Sequence, residues 1–587
     1  MTRRALKCPW LAVKANLITT IAPGMGGEEH GFMRLAYKWR VLISVIFGLF
    51  MVILDSTVVN VAFPTLRSEF KVGVSDSQWV ISIYVMALGI STPLSAYLAD
   101  LFGAKRTYVT GLALFVIGSV ICGFAPNLGV LVVARAVQGF GGGLALPLGT
   151  ALLFNAFPVA EQGVAFGVFG IALVVAPAMG PILGGALVDH GFWRWIFFIN
   201  VPIGLLGVTL ATLWLREQRS EHPPAFDILG FITSAIGFGS VLYAASVASN
   251  DGWTSRTVLT FFAIGGAALV AFALIELFVA KQPLLNLRLF QRPVFLAATL
   301  VGYVSVLALF GAEFLLPLYL QELRGKSAFE TGLILLPLAI SSGIIAPFAG
   351  RLYDLVGPRV LLVVGFGILV INTWQLSQIT ATTSIGYLLF LLALRGIALG
   401  LTVQTTSVAA LGAVSPRETA RASSLTNATR QVVQSIGVAV LAAVLTATLS
   451  TQTKAFEAKF QNTNVSSSAQ ITGLSFANGI CGVAVVPAPA LAGPPTPEQA
   501  AQLKLAGITK AVHTACTESI QGFQNAYFLT TIFALIAMLL GLFLPGWPAK
   551  WAGRATARRP GEGEANAPDA AGDPDADVPS APVIAQP

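Results

Sequence analysis

The chain is 587 residues long, 55% hydrophobic and only 11% charged, with a net charge of +8 and a mean hydropathy of +0.77. A soluble globular domain carries about 25% charged residues, so that class is excluded. The positive charge does not describe a nucleic-acid surface either. Lys and Arg gather in the loops on one side of the expected membrane, as the positive-inside rule requires, and only Arg135 and Arg395 fall within apolar spans.

Residues 1–38 do not read as a secretory leader. Their only apolar stretch, Leu11 to Val13, is stopped by Lys14, and Arg3-Arg4 lacks the context of a twin-arginine signal. They read as a cytosolic extension, or as sequence upstream of a true start at Met33. Apolar runs of about twenty residues follow, each long enough to cross a bilayer. Fourteen are expected, centred near Phe50, Val85, Phe115, Val137, Val174, Leu206, Ser234, Gly266, Leu307, Ile340, Val370, Leu399, Ala439 and Ile536.

The first span carries Asp55. At about 1.5 Å per residue it lies about 21 Å from the inner face. An ionisable group at such depth is expensive and is a functional candidate by default. The fourth span enters from outside near Leu128 and carries Arg135 at a similar depth. A buried guanidinium needs a partner, and Asp55 is the leading candidate. A carboxylate that takes a proton as the arginine withdraws, and gives it up as the arginine returns, would link protonation to conformation. Asn60 and Gln138 are further polar residues on these two spans and are candidates for a cavity wall.

After the second span stands Ala96-Tyr97-Leu98-Ala99-Asp100-Leu101-Phe102-Gly103-Ala104-Lys105-Arg106. After the tenth stands Gly350-Arg351-Leu352-Tyr353-Asp354-Leu355-Val356-Gly357-Pro358-Arg359. This diverged repeat implies two six-span halves, with the two extra spans at 226–280 between them. Asp100 either latches a neighbouring helix or only anchors the topology, as Lys105 and Arg106 do. Asp354 and Arg359 are its counterparts. Glu313 in the ninth span and Arg395 in the twelfth repeat the acid and arginine at a similar spacing. Glu313 either completes a second pair or snorkels at the outer interface.

The fifth span ends in Ala176-Pro177-Ala178-Met179-Gly180-Pro181-Ile182-Leu183-Gly184-Gly185. Proline in a helix interior costs about 3 kcal/mol, which a membrane helix tolerates where its neighbours pack over the distortion. Ala176, Gly180 and Gly184 stand four apart on one face and admit a close backbone. The stretch is either a hinge or a tightly packed helix.

Asp227 is expected to cap the seventh span, and Glu276, near the inner end of the eighth, reads as structural. Residues 281–293 are too short and basic to span. Leu284, Leu287 and Phe290 against Arg288 and Arg292 suggest an interfacial segment. Ser423, Asn427, Arg430, Gln431 and Gln434 form a polar stripe at helical spacing near the inner end of the thirteenth span, which is either a cavity wall or a wet helix end. Residues 451–523 are polar and external. Thr496-Pro497-Glu498-Gln499 starts a short external helix ending near His513. Cys481 and Cys516 share this exterior segment, where a disulfide is permitted and two free thiols are the alternative. Residues 553–587 are rich in Ala, Pro, Asp and Glu and are expected to be disordered. The histidines, at 30, 190, 222 and 513, are scattered, so neither a metal nor a cofactor is implied. Gly325-Lys326-Ser327 lacks the first glycine of a P-loop, where Leu320 stands, which argues against an ATP-driven pump.

Five segments in order resemble motifs of the fourteen-span drug:proton antiporter branch of the major facilitator superfamily, over Trp39 to Trp547. Leu54 to Pro64 is similar to its first-helix motif. Ala96 to Arg106 resembles motif A, with Ala96 where glycine is usual and Leu101 and Ala104 where basic residues are usual. Leu131 to Gly141 resembles motif B, whose arginine, here Arg135, the family associates with proton transfer. Gly180 to Gly185 resembles motif C, and Trp193 to Pro202 is similar to a segment typical of the branch. The resemblance implies an all-α integral membrane protein with a six-helix bundle at 39–218, linking helices at 226–280, an interfacial linker at 281–293 and a second bundle at 294–547. Its residues would be Asp55, Arg135, Glu313 and Arg395 for proton coupling. Asp100, Arg106, Asp354 and Arg359 would form a latch, and Pro177, Gly180, Pro181, Gly184 and Gly185 a hinge. Asn60, Gln138, Asn427 and Gln431 would line the cavity.

The implied activity is not enzymatic: it is proton-coupled export of lipophilic, often cationic compounds by alternating access. The partners are protons, a small lipophilic substrate and the bilayer, with no nucleic acid and, in a Gram-negative host, a periplasmic adaptor. The expected location is the plasma membrane, with both termini cytoplasmic. The alternatives are an exporter of an endogenous lipid, siderophore or metabolite, and, from another class, a channel or transport-inactive receptor.

Overall fold

The computed structural model describes residues 35–72, 74–219, 226–253, 255–280, 283–448, 481 and 497–546. The expected tail at 553–587, nearly all of the N-terminal extension and most of the external loop lie outside them. The first half contains α1 (Tyr37–Phe70), α2 (Val74–Phe102), α3 (Ala104–Gly123), α4 (Leu128–Ala156), α5 (Gln162–Asp189) and α6 (Asn200–Trp214), the last preceded by one turn at Trp195–Phe198. Two linking helices follow, α7 (Ile228–Asp251) and α8 (Arg256–Leu274). The second half contains α9 (Pro293–Leu318), α10 (Ala328–Val356), α11 (Pro358–Leu376), α12 (Ile385–Leu411), α13 (Thr419–Ala447) and α14 (Pro497–Gly541). Thirteen of the described helices are long and apolar enough to cross a membrane, and α9 adds a shorter apolar stretch, Pro293–Ala308.

Local chemistry sets the helix starts. The side chains of Asn127, Asp227, Ser255 and Ser384 accept backbone N–H groups at the first turns of α4, α7, α8 and α12, which satisfies donors that the helix itself leaves free. Ser327, in the triplet that mimics part of a P-loop, opens α10 through a reciprocal capping box with Glu330.

One sequence expectation is corrected here. The external helix from Pro497 does not stop near His513: α14 runs unbroken for 45 residues to Gly541. At 1.5 Å per residue that is about 67 Å, roughly twice the hydrocarbon thickness. Continuity arises because Ala515 and Cys516 are buried and no glycine or proline intervenes between His513 and Ile520. Cys516 is bonded to Cys481, so the external segment is pinned to this helix.

The linking helices dock on one flank. Ser82 of α2 donates to Ser246 of α7 at 2.9 Å, and Trp79 stacks on Tyr243. A π-helical turn at Ile275–Val279 buries Glu276, whose Oε1 accepts the Leu285 N–H at 3.3 Å. The segment after it forms a 3-10 turn, Leu287–Gln291. It buries Leu284, Leu285 and Leu289, while Leu287 and Phe290 stay half-buried. Arg292 then grips Glu418 with two bonds of 2.9 Å. Burial works to raise the Glu418 carboxyl, but hydrogen bonds from Arg292 and Ser415 prevail and hold it below the usual range.

The halves meet along α5 and α10. Gly163 and Gly350 lie back to back, and a Cβ on either would land on the other's backbone. Gly167 sits against the Ala346 carbonyl, and towards the opposite end Gly332 sits against Pro181 and Ile182. At the end carrying the repeated aspartate loops, α13 also crosses to α2 and α4. There Ser424 shares a 2.7 Å hydrogen bond with Ser95, and Ser423 shares one of 2.6 Å with Thr150.

Candidate functional site

Asp55 lies on α1, 0% exposed, among groups from four other helices. Its Oδ2 accepts from Arg135 Nη1 at 2.5 Å. Its Oδ1 accepts from Gln138 Nε2 at 2.9 Å and from Asn200 Nδ2 at 2.8 Å. Arg135 also donates to Gln138 Oε1 at 2.8 Å and, through Nε, to the Val80 carbonyl at 3.2 Å. Its guanidinium lies 4.0 Å from the centroid of the Tyr84 ring, a cation–π contact that desolvation strengthens. Asn200 is steadied by Ser119 at 3.1 Å, which in turn donates to the Phe197 carbonyl.

Every group facing the carboxylate is a donor. That arrangement suits an ionised acid. The arginine answers the charge, and the buried polar groups reinforce one another in a low-dielectric setting. Asp55 and Arg135 are thus in contact, as their depths suggested. Gln138, expected on a cavity wall, is instead wholly buried in this network. Asn60 is exposed, and Asn427 and Gln431 are half-exposed.

In the second half Arg395 is also fully buried and donates to the Ala308 carbonyl of α9 at 3.1 Å. The side chain of Glu313 lies outside the described residues. The repeat fixes the register of α12. Pro93 and Pro347 keep the same separation as Asp100 and Asp354. Gly139 and Gly143 pack on the backbone at Tyr84 and Leu88 of α2, as Gly396 and Gly400 pack on Leu338 and Ser342 of α10. Arg395 therefore stands where Gln138 stands, about one turn from the place of Arg135.

The repeated aspartates both bridge the halves. Asp100 Oδ2 receives Arg421 Nη2 at 2.8 Å and Nε at 3.2 Å. Asp354 Oδ1 receives the Gly163 N–H at 3.1 Å. The basic residues of the two loops stay within their own halves. Arg106 lies 3.6 Å from Glu217, and Arg359 donates to the Leu544 carbonyl at 2.7 Å.

The fifth helix joins these regions. Its Gly163, Gly167 and Gly170 face α10 and α12 of the other half, while Gly180 faces Thr57 and Gly184 faces Val58 of α1, next to Asp55. Pro177 and Pro181 lie within this helix, and Gly180, Gly184 and Gly185 are buried.

Sequence reasoning missed Asn200, Ser119 and Tyr84 around the carboxylate, and Arg421 in the bridge. Asn200 had left a signal, since it is a lone amide in the apolar run from Ile196 to Leu206.

A family model described as Major Facilitator Superfamily matches residues 45–438. An uncharacterized MFS-type transporter of Bacillus subtilis, YhcA, is 35% identical over 405 residues, 69% of this chain and 76% of that protein. The multidrug resistance protein Stp of Mycobacterium tuberculosis is 34% identical over 70% of this chain and 76% of its own length. The lincomycin resistance protein LmrB of Listeria innocua is 31% identical over 69% and 86%. Two solved structures share the fold: the human organic anion transporter MFSD10, with TM-score 0.53, 12% identity and coverage of 85% and 100%, and the proton:xylose symporter XylE, with TM-score 0.54, 13% identity and coverage of 87% and 96%.

Proposed function

The chain belongs to the major facilitator superfamily, and we propose that it is a proton-coupled antiporter exporting lipophilic compounds by alternating access. It is a multi-pass membrane transporter, not an enzyme. The observation that carries the antiport reading is the closed donor shell around Asp55, in a helix that α5 touches at Thr57 and Val58.

With its three donors in place, Asp55 holds no proton. Tilting α5 against the other half moves the helix seated beside Asp55. Parting α1 from α4 removes the Arg135 charge, and a carboxylate left in apolar surroundings then takes up a proton. Re-forming the network expels it. Over a full cycle, cargo then leaves on one swing and the proton enters on the return swing. The names of Stp and LmrB, multidrug and lincomycin resistance proteins, support drugs as cargo.

Asp55→Asn tests this. In everted vesicles the variant should lose pH-gradient-driven cargo movement at unchanged expression, because an amide does not titrate. Undiminished gradient-driven transport by the variant would end the proposal.

A further inference from the structure

The expectation of cationic cargo came from resemblance alone, and the side chain at the middle of the second half's cleft wall carries the opposite requirement. Arg430 lies eleven residues into α13, about 16 Å from the helix start and near the middle of a hydrocarbon layer of roughly 30 Å. It is exposed. Exposure at that depth means either lipid or a water-filled space, and a guanidinium facing lipid is very costly.

The register of α13 decides between them. Ser423, two turns below Arg430 on the same face, is buried against Thr150 and the Pro147 carbonyl of α4 in the other half. Arg430 therefore continues the face that looks across the cleft between the halves. Its Nη2 donates to Asn427 Oδ1 at 3.1 Å, a neutral amide that leaves the charge uncompensated. Asn427 is itself fixed by its bond to the Ser423 carbonyl at 2.8 Å. Beside it Tyr303 of α9 is hydrogen-bonded to Thr429. Among the described residues no carboxylate lies within 4.0 Å of Arg430. The other mid-membrane charges of described geometry, Asp55, Arg135 and Arg395, are buried, and the first two pair with each other.

We propose that the cleft binds lipophilic organic acids, with Arg430 as the anion-recognising side chain and Asn427 and Tyr303 framing it. A guanidinium presents a planar fork that matches a carboxylate or sulfonate, and the low-dielectric walls of a cleft strengthen its field. A lipophilic cation would be repelled at the same place. This names the cargo class of the transport reading above and rests on it for the cleft's role. Equilibrium binding needs no proton gradient, so the two readings fail separately.

The test uses the full chain in nanodiscs of net-neutral lipid, with empty discs subtracted. The probes are radiolabelled 1-naphthaleneacetate and the near-isosteric 1-naphthylmethylammonium. The wild type should bind the acid more tightly than the amine. Arg430→Gln should weaken the acid by about tenfold or more, the scale of one hydrogen bond to a charged group, and should not weaken the amine. Arg430→Lys should retain part of the preference. Absence of an acid preference in the wild type, or its survival in Arg430→Gln, overturns the proposal.

Discussion

Asp100 of α2 reaches across to the Arg421 side chain near the start of α13, while Asp354 of α10 reaches across to a backbone N–H near the start of α5. The helices and acids correspond, but the first bridge is an ion pair and the second is a carboxylate at a helix N-terminus. A similar divergence lies deeper. The first half buries an acid, an arginine and two amides as one network, whereas the second places Arg395 in the position of Gln138, with the Ala308 carbonyl among its partners. The repeat has kept what backbone geometry needs, namely the crossing glycines and the prolines at 93 and 347. Charge is less constrained by the fold and has drifted. On the reading proposed above, Asp55 of the first half carries the proton.

The largest expected effect sets one arginine against the other. Arg135→Gln leaves Asp55 buried without a cation, and breaking a buried pair in this way costs about 3–5 kcal/mol. Gradient-driven transport should fall by more than an order of magnitude, with a lower thermal midpoint in detergent. Arg395→Gln should do less, because Asp55 keeps its cation in that variant. Equal losses of transport in the two variants would put the halves on the same footing and break the comparison.

A smaller effect is expected where the halves are alike. Gly350→Val drives a side chain into the Gly163 backbone, and Gly163→Val does the reverse. Overpacking costs about 1–3 kcal/mol, so the closed-to-open ratio at this end should drop by roughly five- to 160-fold. Spin-label distances between the loop ends of α2 and α13 would read it. Gly302→Val on α9 is the control, since a Cβ there meets nothing within 4 Å. If the control widened that distance as much as Gly350→Val does, the close approach would not be what holds the end shut.

The order of helices was legible because apolar length is a local signal, and the repeated aspartate loops pointed to two corresponding parts. So was the pairing of Asp55 with Arg135, which followed from depth counting alone. Asn200 and Arg421 were not singled out, because their roles depend on which helices become neighbours, and spacing along the chain carries no trace of that. Gln138 was assigned to the cavity for the same reason: its polarity was visible, but the face it presents was not. The run of α14 through His513 was missed because a polar exterior segment looked like a boundary, while helix continuity is set by the absence of breakers.

The smallest expected effect separates the two bridges. Asp100 and Arg421 are partly exposed, with side chains 23% and 29% accessible, so their pair is worth about 1 kcal/mol or less and is screened by salt. Asp100→Asn should loosen closure by no more than a few fold at low ionic strength, with little further change at high salt. Exchanging the charges, Asp100→Arg with Arg421→Asp, should restore it. Asp354→Asn should behave differently. The amide oxygen can still accept the Gly163 N–H, while the attraction of a full charge to the helix N-terminus, about 0.3–1 kcal/mol, is lost. The same spin-label distances, taken across a salt series, distinguish the two cases. An Asp354→Asn variant as salt-sensitive as the wild type, beside an insensitive Asp100→Asn, fits an ion pair in the first bridge and a geometric contact in the second. If Asp354→Asn instead removed the salt dependence, the second bridge would be electrostatic as well, and the contrast between the halves would reduce to the buried network alone.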